Sequence, residues 1–170
     1  MKAAADFTDK LRKIKLVVTD VDGVLTDGGL YYTGEGMVMK KFNVKDGMGS
    51  RRLQREGILV GIISTDVSQI IQTRAERLKL DFVYTGIWEK DEILKQLCEE
   101  KNIKLEETAF IGDDINDSGI IEIAGFTVAP ADAMDEVKER VDLVMTRKGG
   151  DAVFREFAEM ILNCIEQEKK

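Results

Sequence analysis

The sequence predicts an α/β fold, a doubly wound parallel sheet of the Rossmann-like type, and three observations predict it. Short apolar runs recur at 14–19, 58–64 and 108–111, reading as strands buried on both faces. Stretches with helical periodicity separate them, the alternation expected of a parallel sheet with crossover helices. The three runs end in Asp20, Ser64 and Gly112-Asp113, and in such sheets ligands bind beyond the carboxyl ends of the strands.

Each element has its own signal. Residues 6–13 read as a short leading helix or arm, followed by the first strand, which enters Asp20-Val21-Asp22-Gly23-Val24-Leu25-Thr26. Residues 28–42 form two alternating arms around Gly34-Glu35-Gly36, which predicts a β-hairpin. A helix follows, with Asp46 as its predicted N-cap and Gly57 as its stop. After the strand at 58–64, a helix over 68–78, a short strand at 82–84 and a helix over 90–101 are predicted. Ile93, Leu94, Leu97 and Cys98 lie on one stripe of that last helix. The strand at 108–111 precedes Gly112-Asp113-Asp114-Ile115-Asn116-Asp117. Then come a helix, a strand at 126–129, a helix over 135–140, a strand at 143–145 and an amphipathic helix over 150–167. The length of 170 residues predicts one domain over 1–170.

Composition narrows the function. A formal net charge of −7 argues against a nucleic-acid or anionic-membrane surface. No apolar stretch approaches a membrane span, and Met1-Lys2-Ala3-Ala4-Ala5-Asp6 has no following apolar core, so no secretion signal is expected. Cys98 and Cys164 have neither zinc nor redox spacing and read as reduced packing cysteines of a cytoplasmic protein. The chain has no histidine, so acid–base chemistry must fall to carboxylates, lysines or hydroxyls.

Asp20 and Asp22, two residues apart just past a strand end, point to the same side and converge on one small volume. Close carboxylates are costly unless a cation or a substrate charge offsets them. Phosphate-ester hydrolysis without histidine needs a nucleophile, an acid for the leaving oxygen, a cation and donors for the phosphoryl oxygens. Asp20 can attack phosphorus; Asp22 can protonate the leaving alkoxide and then activate water. Asp113, with Asp20 and the backbone carbonyl of Asp22, can hold Mg²⁺, which takes a few hard oxygen ligands. Ser64 and Lys90 can bind the phosphoryl oxygens, and Lys90 can also fix Asp20. Each feature has a plainer reading: a polar turn, a strand-end cap, a solvated lysine, a turn with an N-cap. Four in order at successive strand ends favour the chemistry.

This ordered set resembles the haloacid dehalogenase superfamily of phosphohydrolases, with motifs at Asp20, Asp22, Gly23 and Thr26, at Ser64, at Lys90, and at Gly112-Asp113-Asp114 with Asp117. The resemblance implies that Asp20 is the nucleophile, that Asp22 is the acid/base and that Asp20, Asp22 and Asp113 form the Mg²⁺ site. Asp114 and Asp117 would orient metal-bound water. Between Thr26 and Ile58, and between Lys90 and Asp113, there is no room for a cap domain. An uncapped site acts on a macromolecule or borrows its cover from a neighbouring subunit.

The first motif, the hairpin, Phe42-Asn43-Val44-Lys45-Asp46-Gly47 and Gly149-Gly150 leading to Arg155-Glu156-Phe157 look like two groups of that superfamily. These are the 3-deoxy-octulosonate 8-phosphate phosphatases and their 3-deoxy-nonulosonate (N-acylneuraminate or deaminoneuraminate) 9-phosphate relatives. Likeness to them implies a small phosphorylated acidic sugar as substrate and a homotetramer with a neighbour-supplied lid. It also implies substrate contacts from Asp22, Gly23, Asn43, Lys45, Asp46, Gly47 and Arg51. At Thr65-Asp66 the octulosonate enzymes usually carry Gly-Arg. Asp66, Arg74 and Arg77 look more like the nonulosonate group, with Thr65 a further substrate contact, Asp66 accepting from sugar hydroxyls and Arg74 or Arg77 pairing with the sugar carboxylate. The expectation is therefore a nonulosonate 9-phosphate phosphatase, with the octulosonate 8-phosphate enzyme as the alternative. A catalytically silent oligomerisation module and a phospho-accepting receiver domain are the rivals from other classes. Ala152 stands where the family commonly has glycine.

Overall fold

A computed structural model of the chain describes residues 7–168; the reading of 1–6 lies outside them. Among the described residues, eight strands and seven α-helices alternate in the predicted manner. They are α1 (Thr8–Arg12), β1 (Leu16–Thr19), β2 (Tyr31–Thr33), β3 (Gly36–Met39), α2 (Val44–Arg55), β4 (Leu59–Ile63), α3 (Gln69–Leu78) and β5 (Phe82–Tyr84). They continue as α4 (Lys90–Lys101), β6 (Thr108–Ile111), α5 (Ser118–Ile123), β7 (Phe126–Ala129), α6 (Asp135–Arg140), β8 (Leu143–Val144) and α7 (Val153–Glu168). Six strands form a parallel sheet in the order β5-β4-β1-β6-β7-β8, and β2 pairs with β3 alone as an antiparallel hairpin.

The central strand explains the layers. All four residues of β1 are buried, and alternate side chains leave on opposite faces. Val17 joins a core with Leu53, Ile71, Phe154, Phe157 and Ile161, from α2, α3 and α7. Leu16 and Val18 join a second core with Leu94, Leu97, Ile120 and Val137, from α4, α5 and α6. Because β1 is flanked by β4 on one side and β6 on the other, the chain reverses direction there. The crevice at that reversal is where an open α/β sheet binds its ligand.

Two boundaries differ from expectation. Asn43, not Asp46, caps α2: its Oδ1 accepts the Lys45 amide at 3.0 Å, while Asp46 sits one turn in and is buried. The last helix starts at Val153 rather than near Gly150, because Gly150 and Ala152 take left-handed φ values of 73° and 61°. The turn is held against the first loop, where the Gly150 amide donates to the Val24 carbonyl at 2.9 Å. A side chain at Gly149 would lie 2.0 Å from the Gly23 carbonyl oxygen, so glycine is required for this approach. No helix among the described residues is long and apolar enough to cross a membrane.

Candidate active site

Three strand ends build the site. Asp20 follows β1 and is 4% exposed; its Oδ1 accepts the Val21 amide at 2.8 Å. Lys90 opens α4, is 1% exposed, and sets its ammonium 3.1 Å from Asp20 Oδ1 and 2.6 Å from Asp117 Oδ1. Asp117 uses its other oxygen on the Asp113 amide at 3.0 Å, tying the loop after β6 to the same lysine. Carboxylate oxygens of Asp20, Asp113 and Asp117 lie within 4.8 Å of one another. Three hard carboxylate oxygens gathered this closely could hold one divalent cation.

The electrostatics favour a cation there. Three carboxylates face one ammonium. Burial, and then the Asp117 charge, raise the Asp20 carboxyl to about 7, with Lys90 pulling the other way. Burial, followed by Asp20, Asp117 and Asp114, raises Asp113 to about 8. Burial raises Asp117 as well, against Lys90. Burial works against the Lys90 ammonium, but Asp20 and Asp117 hold its pKa above the usual lysine value. Charges this crowded are relieved either by protons or by a divalent ion, and hard oxygens suit magnesium. The backbone leaves room for the acids: a Cβ on Gly23 would fall 1.9 Å from Asp113 Oδ2.

An open cleft of about 460 Å³ leads to these groups, lined by Asp20, Asp22, Gly23, Thr65, Trp88 and Asp113 among others. Asp22 is turned from the acidic cluster towards Lys40, whose ammonium is 2.5 Å from Asp22 Oδ1 and 2.5 Å from Asp66 Oδ2. Burial disfavours the Lys40 charge, but hydrogen bonds to Asp22 and Asp66 hold its pKa above the ordinary lysine value. Ser64 is buried at the end of β4, and its Oγ accepts the Asp66 amide at 3.2 Å.

The expected sugar contacts separate into groups. Asp22, Gly23 and Thr65 line the cleft. Asp66 stands behind it, with Oδ1 on the Ser68 amide at 2.6 Å and Oδ2 on Lys40. Arg74 lies over the Phe42 ring at 5.4 Å and donates to the Asn43 carbonyl at 3.2 Å. Arg77 is exposed and shares a groove with Arg74 and Lys40. Asn43 caps α2, Gly47 packs against Leu78, and Asp46 accepts the Arg155 amide at 2.9 Å, while Lys45 and Arg51 are exposed. None of these eight, Asp66 included, lines the cleft.

Sequence reasoning did not single out Lys40 or Trp88, and it gave Asp117 an outer role. Asp117 carries a signal, lying four residues beyond Asp113. Lys40 carries none, since an alternating arm ending in two lysines reads as a solvated edge.

Comparisons with known proteins agree with this geometry. The family model of the haloacid dehalogenase-like hydrolases matches residues 54–157. The 3-deoxy-D-manno-octulosonate 8-phosphate phosphatase KdsC of Haemophilus influenzae is 40% identical over 155 residues, covering 91% of this chain and 86% of that protein. The cobalt-bound structure of a Haemophilus influenzae phosphatase of the same specificity superposes with a TM-score of 0.89 at 39% identity, covering 92% of each chain. The Moraxella catarrhalis enzyme, solved with magnesium ion, phosphate ion and KDO, gives 0.93 at 32% identity, covering 98% of this chain and 96% of the other. With its acids at the ends of β1 and β6, its buried lysine at the start of α4 and a hairpin in place of a cap, this chain belongs to the haloacid dehalogenase-like hydrolase family.

Proposed function

We propose that this chain is a magnesium-dependent phosphatase that hydrolyses 3-deoxy-D-manno-octulosonate 8-phosphate through an aspartyl-phosphate on Asp20. The observation that carries the chemistry is the approach of the Asp20 and Asp113 carboxylates, with Lys90 between Asp20 and Asp117. Asp20, Asp113 and the Asp22 carbonyl would hold magnesium, which when bound neutralises charge on the phosphoryl oxygens. Lys90 holds Asp20 as an anion in place for attack. The Asp20 oxygen bonds to phosphorus as the sugar oxygen leaves with its electron pair and takes a proton from Asp22. Asp22, now anionic, accepts a proton from the water that attacks the phospho-Asp20 phosphorus; the bond from phosphorus to the Asp20 oxygen breaks, inorganic phosphate leaves, and Asp20 returns as the carboxylate and Asp22 as the acid. Because Lys90 is almost fully buried, donors facing the cleft, such as Thr65, better suit contact with the phosphoryl oxygens.

The relatives support the eight-carbon sugar. The features that favoured a nine-carbon sugar already have partners inside the chain, Asp66 on Ser68 and Lys40, and Arg74 on Phe42 and Asn43. The nonulosonate 9-phosphate remains the second reading because Arg77 is exposed and available. Leu30, Tyr31, Tyr32, Val38 and Met39 on the hairpin are all about half exposed or more. A two-stranded ribbon with both faces in water is marginal, so this surface supports self-association. We assign a homotetramer in which a neighbouring copy covers the cleft and can bring exposed cations such as Lys45 and Arg51.

Phosphate release from the eight- and nine-carbon sugar phosphates, side by side with magnesium, tests the assignment. Preference for the 8-phosphate is expected. Preference for the 9-phosphate would restore the second reading, and release from neither would remove the phosphatase assignment.

A further inference from the structure

Lys40 is a buried charge outside the acidic cluster. Its side chain has no solvent exposure, and its ammonium bridges Asp22 and Asp66 at 2.5 Å each. It follows β3 directly, at the root of the hairpin. Asp66 is itself fixed, since its second oxygen accepts the Ser68 amide at the start of α3. The chain Ser68–Asp66–Lys40–Asp22 thus runs from the helix after β4, through the hairpin root, to the loop after β1.

We infer that Lys40 is a positioning residue that holds the Asp22 carboxyl group in the orientation needed to protonate the leaving oxygen. The inference rests on the phosphatase reading above. Its side chain is covered and its ammonium is engaged by Asp22 and Asp66, so Lys40 acts through the acids it touches. A lysine ammonium donates and does not accept, so Oδ1 of Asp22 stays the accepting oxygen and Oδ2 is left to exchange a proton with the leaving group. Pinning one oxygen of a short side chain also removes its rotational freedom, the kind of orientation on which proton transfer depends. The hairpin would in this way contribute to the chemistry as well as to the surface of the molecule.

The affected step is cleavage of the phosphorus–oxygen bond, in which the leaving oxygen keeps the electron pair and receives the Asp22 proton while Asp20 bonds to phosphorus. A sugar or alkyl oxygen needs that proton, whereas 4-nitrophenolate departs without it. The test compares kcat/KM of wild type, Lys40→Met, Lys40→Gln and Lys40→Arg on an alkyl phosphate and on 4-nitrophenyl phosphate, both with magnesium. Lys40→Met should lose roughly 10–100-fold on the alkyl ester and at least about tenfold less on the nitrophenyl ester. Lys40→Arg should recover much of the alkyl activity. In an Asp22→Asn background, Lys40→Met should cause no further change in the ratio between the esters.

Equal losses on both esters would mean that Lys40 supports the site as a whole, and no loss would mean that it does not act through Asp22. Either result overturns the proposal. Should Lys40→Met fail to fold, the same ratio is read on Lys40→Gln, which keeps the length and a donor but not the charge. Wild type that hydrolyses neither ester would instead overturn the phosphatase reading, which keeps the two failures apart.

Discussion

Asp20 is held by two opposed demands: burial raises its pKa, and Lys90 3.1 Å away favours its anion. Replacing it with asparagine keeps the shape and removes the nucleophile. Asp20→Asn should lower turnover by on the order of 10⁴-fold or more, with a melting temperature no lower than that of wild type. A steady-state assay alongside thermal melting checks both halves. The neighbouring acid gives a second prediction. With Asp20 raised to about 7 and Asp113 to about 8 when no cation offsets them, magnesium must displace protons to bind. The apparent magnesium affinity should therefore climb as pH rises from 6 towards 8 and level off above, which titration calorimetry at several pH values would follow. Asp20, Asp22, Lys90 and Asp113 were legible because each stands at a strand or helix end whose position the apolar pattern already fixes. Lys40 was not, because its contact with Asp22 depends on where a hairpin folds back, and no local pattern encodes that.

At the scale of elements, the start of α2 carries a cost. Asp46 is 3% exposed, its Oδ1 accepts the Arg155 amide, and its Oδ2 has no hydrogen-bond partner. Burial raises its pKa from 3.8 to about 6, with Arg74 and Arg147 partly offsetting and Asp151 reinforcing the shift. A carboxyl whose folded pKa lies above its unfolded value stabilises the fold fully below pH 4 and loses that contribution as pH rises through 6. The buried anion then costs about 3 kcal/mol, from about 1.4 kcal/mol per pKa unit. Asp46→Asn should thus gain stability relative to wild type as pH goes from 5 to 8, by several degrees in melting temperature. A constant difference between the two proteins across that range would remove Asp46 as the cause. The predicted cap at Asp46 missed because Asn43 and Asp46 are both good capping residues three positions apart, and the sequence does not say which one turns inward. Similarly, helical periodicity extends the last helix back to Gly150, while contact with the first loop forces a turn there that ends only at Ala152.

For the molecule as a whole, the alternation of buried strands with amphipathic helices makes the sheet and its ligand-binding end readable in the sequence. Which sugar binds there was less readable, because Asp66 and Arg74 look like ligands in sequence and prove to be engaged within the fold. The hairpin is the surface through which self-association is proposed. Replacing Tyr31 and Tyr32 together by serine removes two exposed aromatics from a surface proposed to bury them. The double variant should elute as a smaller species than wild type in light-scattering chromatography and should lose sugar-phosphate turnover more than nitrophenyl-phosphate turnover. Wild type running as a monomer at micromolar concentration would contradict the shared lid. The most direct test of the account concerns the covalent intermediate. Enzyme mixed with magnesium and the 8-phosphate, quenched during turnover and reduced with borohydride, should yield a peptide with homoserine at position 20 by mass spectrometry. An unmodified Asp20 under conditions of full turnover would contradict the nucleophile assignment on which the rest depends.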